Sequence, residues 1–134
     1  VANNLFALGR QKFLEGKIDW IRDTIKIALI DTDKITVDIN ANEMFSVFSS
    51  TVIGESQELK NKSSFYGVAR ADAVTFPTVT GNKVGALLIY KSSGVENTSP
   101  LIAYIDTAQG LPITPNGGDI TINWDAGPYG IFML

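Results

Sequence analysis

The chain has 134 residues and a formal net charge of -3; 45% of its residues are hydrophobic and only 19% are charged. That length supports one domain with a core of its own, and the low charge leaves Ser, Thr and Asn, or a covering partner, to satisfy the surface. With neither Cys nor His in the sequence, disulfides, thiol nucleophiles, His-based triads and the usual zinc sites are excluded.

Charge is unevenly spread. Residues 92–134 contain no Lys or Arg but include Glu96, Asp106, Asp119 and Asp125, an asymmetry that can steer one end of a molecule towards a partner. No basic stripe interleaves with aromatic residues, so nucleic acid is not an expected partner. No apolar run reaches the length of a membrane span, and Val1-Ala2-Asn3 does not open a signal peptide. A soluble protein made in the cytoplasm, without membrane contact, is therefore expected.

Residues 4–15 (NLFALGRQKFLE) predict a short amphipathic helix capped by Asn3 or Asn4 and ended by Gly16, with Leu5, Phe6, Leu8 and Phe13 on one broad side. Gly9 costs this helix about 1 kcal/mol relative to Ala, so it needs a surface to lie on. Residues 1–16 read as a helical arm or anchor, over their own domain or across a neighbouring subunit, and 17–134 as a single β-rich domain.

Beyond Trp20, the alternation of Ile25, Ile27 and Leu29 against Lys26, Ala28 and Ile30 predicts a central strand. Residues 34–40 are a strand or an extended loop, and 41–48 (ANEMFSVF) predict two helical turns lying on the sheet. Residues 51–53 are β-prone with Gly54 as a breaker, and 57–62 form an edge strand or a loop. Pro77 cannot donate to a ladder, so the Val74–Thr78 piece should sit at a sheet edge or end there.

Residues 83–91 are the strongest strand, apolar on both faces, with Gly85 making room for a bulky cross-strand neighbour. They should pair with 99–107. A long Pro/Gly loop, a strand at 120–124, a turn at 125–128 and a last apolar strand at 131–134 complete the chain. The apolar end must pack within its own chain or at an oligomer seam. Six to eight short strands predict a mainly β fold: a small antiparallel β-sandwich or partly open barrel with an N-terminal helix and one short additional helix.

No catalytic, cofactor-binding or metal-binding residue is expected. Glu43, Glu55 and Asp72 lie in separate weak segments, and Asp31, Asp33, Asp106 and Asp119 sit at strand ends, where Asp serves turns. Asp31-Thr32-Asp33 lacks the Gly and the closing Glu of a calcium loop. Trp20, Tyr66, Trp124, Tyr129 and Phe132 cannot all fit inside, and exposed aromatics mark interfaces. Sugar stacking by Trp124 and Tyr129 is the alternative.

Three stretches, FALGRQKFLEGKIDWIRDTIKIALIDT at 6–32, GVARADAVTFPTVTGNKVGALLIYKSSG at 67–94 and SPLIAYIDTAQGLPITPNGGDITINWDAGPYGIFML at 99–134, resemble a family of small structural proteins of tailed bacteriophages, some of which act as capsid cement or decoration proteins. The resemblance implies a non-enzymatic virion protein on the outer surface of the head, bound to the major capsid protein, as a homotrimer. It implies contacts through the N-terminal segment, the sheet edges and the loop that begins at Ile105. The interface candidates are Leu5, Phe6, Leu8, Phe13, Trp20, Trp124, Tyr129, Phe132 and Leu134. A receptor- or carbohydrate-binding module at a tail tip or head fibre, or a tail structural protein, is the alternative.

Overall fold

The computed structural model describes residues 4–106, 110–124 and 130–134. Its strands are β1 (Asn4–Leu5), β2 (Ile25–Ile30), β3 (Val52–Glu58), β4 (Ser63–Phe65), β5 (Val68–Arg70), β6 (Val74–Phe76), β7 (Ala86–Lys91), β8 (Leu101–Ile105), β9 (Ile120–Ile122) and β10 (Phe132–Met133), with helix α1 at Ala7–Leu14. They form a five-stranded sheet in the order β1-β8-β7-β2-β3, a three-stranded sheet β10-β5-β4 and a pair β6-β9. Every pairing is antiparallel. The fold therefore combines several antiparallel sheets with helix α1 and 3-10 helices, the longest of which is Phe45–Thr51.

The large sheet separates two cores because its inner strands are apolar on both faces, as the alternation in β2 and β7 predicts. Ile25, Ile27, Leu29, Leu87 and Ile89 face one core, shared with Ala69, Val74, Phe76, Ile120 and Ile122 of the smaller sheets. Ala28, Ile30, Ala86, Leu88 and Tyr90 face the other, closed by Phe6, Phe45 and Phe48 and flanked by Ile35, Val37 and Ile39. Residues 83–91 and 99–107 do supply neighbouring strands, in register from Leu87↔Ile105 to Tyr90↔Leu101. An irregularity between Ile89 and Tyr90 leaves Ile102 unpaired, so Ile102 and Ala103 both enter the first core.

Four local expectations are corrected. The N-terminal helix starts at Ala7, because Asn4 and Leu5 pair with Tyr104 and Ala103 as β1. Phe6 is the N-cap residue, without a capping side-chain hydrogen bond, and the N–H groups of Phe6 and Ala7 donate to Ile102 O (2.9 Å) and Ile39 O (3.0 Å); Asn3 lies outside the described residues. Residues 41–48 do not make two α-helical turns, since extended pairing holds 43–45: Phe45 N–H donates to Ser99 O and Leu101 N–H to Glu43 O, each 2.8 Å. Helix, of the 3-10 type, begins only at Phe45. Gly54 does not break the chain there; at φ +71° it lies within β3, where the register steps from Ile27↔Gln57 to Leu29↔Ile53. Gly85 makes room for Thr32, whose Oγ1 would lie 2.2 Å from a Cβ at that position, and not for a cross-strand residue.

Lys34 ends a 3-10 turn and residues 35–40 form a loop, β6 ends before Pro77, and β9 is shorter than the expected 120–124. The turn expected at 125–128 lies outside the described residues. Contacts cross the proposed division at residue 16: Phe6 is fully buried, and α1 lies so close to β8 that a Cβ at Gly9 would sit 2.5 Å from Leu101 O. The helix thus covers a stretch of β8 edge that would otherwise stand open.

Candidate functional site

The last strand builds the site. β10 pairs with β5 through Phe132↔Ala69 and Met133↔Val68, and Leu134 N–H donates to Gly67 O at 2.9 Å. Phe132 is fixed from beneath by the Trp20 ring, edge-on at 5.2 Å, and by Phe13 at 6.2 Å. Trp20 is itself tied to β4 through Nε1–H to Ser63 O at 3.0 Å. This aromatic stack holds the outer edge of β10 in place.

Between β10 and β1 runs a groove of about 510 Å³, walled by Leu5, Ala103 and Ile105 on one side and Ile131, Phe132 and Leu134 on the other. Its rim is polar at Asn4 and Arg10, and Arg10 is the one charged side chain among the lining residues. Arg10 Nη1 donates to Leu5 O at 3.1 Å. Because Phe6 N–H bonds to β8, the alternation of an antiparallel ladder turns the Leu5 peptide groups outward, towards the groove.

Exposed apolar side chains gather around this groove. Of the eight exposed large hydrophobics among the described residues, Met133 (53% exposed) and Leu134 (61%) line it, and Leu14 (86%), Phe65 (66%) and Tyr66 (90%) stand on the neighbouring α1 and β4–β5 hairpin. Leu14 follows Arg10 by one turn on the same helix face. The registers Phe65↔Val68 and Met133↔Val68 put these three side chains in one cross-strand row, on one face of the small sheet.

The β4–β5 hairpin turns on Tyr66 and Gly67, at φ +51° and +77°. Both central residues in the left-handed region define the type I′ turn, which favours Asn-Gly. A Tyr at its first position is strained by about 1–2 kcal/mol. Its ring packs edge-on against Phe65 at 4.4 Å, forming an aromatic knob beside the groove.

Of the nine interface candidates, Leu5, Phe132 and Leu134 line the groove, while Phe13 and Trp20 support it from below. Phe6 lies in the opposite core, 6.1 Å from the Phe48 ring, where its own chain covers it. Leu8 is half-buried on α1. Trp124 stands apart, its Nε1–H donating to Asp72 O at 3.1 Å beside a shallow cavity of about 320 Å³ that also meets Arg70 and Asn123. Tyr129 and residues 107–109 of the long loop lie outside the described residues. Arg10, Leu14, Phe65 and Met133 were not among the candidates, nor was Tyr66 beyond its count as an exposed aromatic; Gly67 is the one element of the two-residue hairpin pattern present, Tyr66 standing where Asn or Asp would mark the turn.

Elsewhere the polar groups serve the fold. Asp31 is buried, with Oδ2 accepting from Asn82 Nδ2 (2.9 Å) and Oδ1 from Asp33 N–H (3.0 Å). The Asn82 bond, then that of Asp33, holds its carboxyl below the usual carboxylate range. Burial lowers the Lys62 ammonium pKa, and its Nζ donates to Asp23 O. Burial likewise raises the Tyr90 and Tyr104 hydroxyls. Glu43 pairs with Lys12 at 2.6 Å. Among the described residues no three metal-ligating side chains converge.

The sequence matches no protein-family model and no curated protein.

Proposed function

We propose that the chain is a non-enzymatic structural protein of a phage virion, working by adhesion as a homo-oligomer on the outer surface of the head. In this reading it contacts the major capsid protein and stabilises the shell, as a homotrimer matched to the lattice symmetry. A partner that binds only the expanded shell stabilises that state by its differential affinity. The two smaller sheets packed on one face of the large one are read as an open sandwich, a rigid platform for the contact.

The observation that carries this reading is the exposure of Phe65, Tyr66, Met133 and Leu134 along one small sheet that borders the groove, with Leu14 exposed one turn beyond the groove's Arg10. Scattered exposed apolar residues need no explanation, whereas a contiguous patch around a groove marks a protein contact. The resemblance implies contacts through the N-terminal segment and the sheet edges, and β1 and β10 border this groove. Leu14, on the outward turn of α1, is the lattice contact to test.

Purified protein should co-sediment saturably with heads assembled without it, and Leu14→Asp should weaken that binding while leaving the melting temperature unchanged. Failure of the unaltered protein to bind heads would contradict the reading. Carbohydrate binding is the second reading, carried by Trp124 half-exposed beside Asn123. Quenching of tryptophan fluorescence by host glycans, lost in Trp124→Phe, would favour it instead.

A further inference from the structure

We propose that the oligomer is closed by the Phe65–Tyr66 knob of one copy seating in the β1/β10 groove of a second copy of this chain. The inference rests on the adhesion reading only for the use to which the oligomer is put. Both halves of the contact belong to one molecule, the turn that carries the knob bonding through Gly67 O to Leu134 of the groove wall, so the sequence that makes the knob also makes its receptor. The groove, at about 510 Å³, falls in the range that takes a drug-sized ligand and has room for a pair of aromatic side chains.

Chemical complementarity favours a second copy over an unrelated partner. The groove walls are aliphatic and aromatic, and their one charged side chain is Arg10. An arginine at the rim of an apolar slot suits the face of an aromatic ring, through cation–π attraction and stacking. The knob supplies two such rings and no charge. Tyrosine is also among the residues that dominate interface energetics.

The backbone points the same way. Tyr66 holds a conformation that Asn or Gly adopts more easily, and does so with its ring 90% exposed. Asn61 at φ +52° is the residue type expected in that region, and Thr78 at φ +51° is held by its N–H donating to Asp119 Oδ1. The two-residue hairpin imposes this conformation on residue 66 whatever its side chain, so what a contact outside the monomer accounts for is an exposed Tyr there in place of Asn or Gly.

Sedimentation velocity of the purified full chain tests this without any virus particle. The unaltered protein should associate with concentration. Tyr66→Asn places the favoured residue in the turn, so it should raise or preserve the melting temperature while weakening association about tenfold or more. Leu134→Glu, on the groove side, should weaken association to a similar extent. An unaltered protein that stays monomeric, or association untouched by Tyr66→Asn, would overturn the proposal. A monomer that still binds heads would defeat this inference alone, and an oligomer that ignores heads would defeat only the lattice reading.

Discussion

A methyl group at residue 9 would lie 2.5 Å from the Leu101 carbonyl oxygen. Helix propensity alone favours Ala over Gly there by about 1 kcal/mol, but forcing backbone apart costs about 1–3 kcal/mol. Gly9→Ala should therefore destabilise the protein in urea titration; a gain in stability would show that α1 does not press on β8. Asp31 carries a second residue-scale consequence. Its carboxyl is held below the ordinary range by Asn82 and Asp33, so its contribution is fully present above the unfolded value, about 3.9. That contribution is lost as pH falls through the folded value. Asn82→Ala should make stability decline less steeply below about pH 4, and an unchanged pH slope of the urea midpoint would count against the assignment.

At the scale of elements, the N-terminal helix is built into the body. Phe6 is fully buried in the second core, and Phe13 props Phe132 in the first. Phe6→Ala should cost about 3–5 kcal/mol, whereas Leu14→Ala, on the exposed turn, should stay within about 0.5 kcal/mol. Deleting residues 1–16 should thus unfold or aggregate the remainder, the reverse of what a detachable arm would do; circular dichroism of the truncated chain decides it. β2, β7 and β8 were legible because apolar residues on both faces leave few alternatives to a central strand. The start of α1 was not, because its first N–H groups are satisfied by Ile102 and Ile39, residues remote in sequence. The same holds for 43–45, where pairing with 99–101 overrides helical periodicity, and for Gly54, whose positive φ places a bulge where composition suggests a break.

Over the described residues, a sheet covered on both faces leaves an apolar groove at one seam, where β1 and β10 stand open to each other. Leu5, Phe13, Trp20, Phe132 and Leu134 were expected at an interface by residue type; the fold lines the seam with Leu5, Phe132 and Leu134 and packs Phe13 and Trp20 against Phe132 at the first core. Phe6 has the same character but points to the opposite core, because the extended residue before α1 turns its ring towards Phe48. Phe65 and Met133 escaped notice because only the cross-strand register through Val68 aligns them. The central claim is adhesion to a protein lattice, and cryo-electron microscopy of purified virions that contain this chain tests it most directly. The account expects density for the chain on the outer head surface, with the Leu14 face against the major capsid protein; density confined to the tail, or none on the particle, would contradict it.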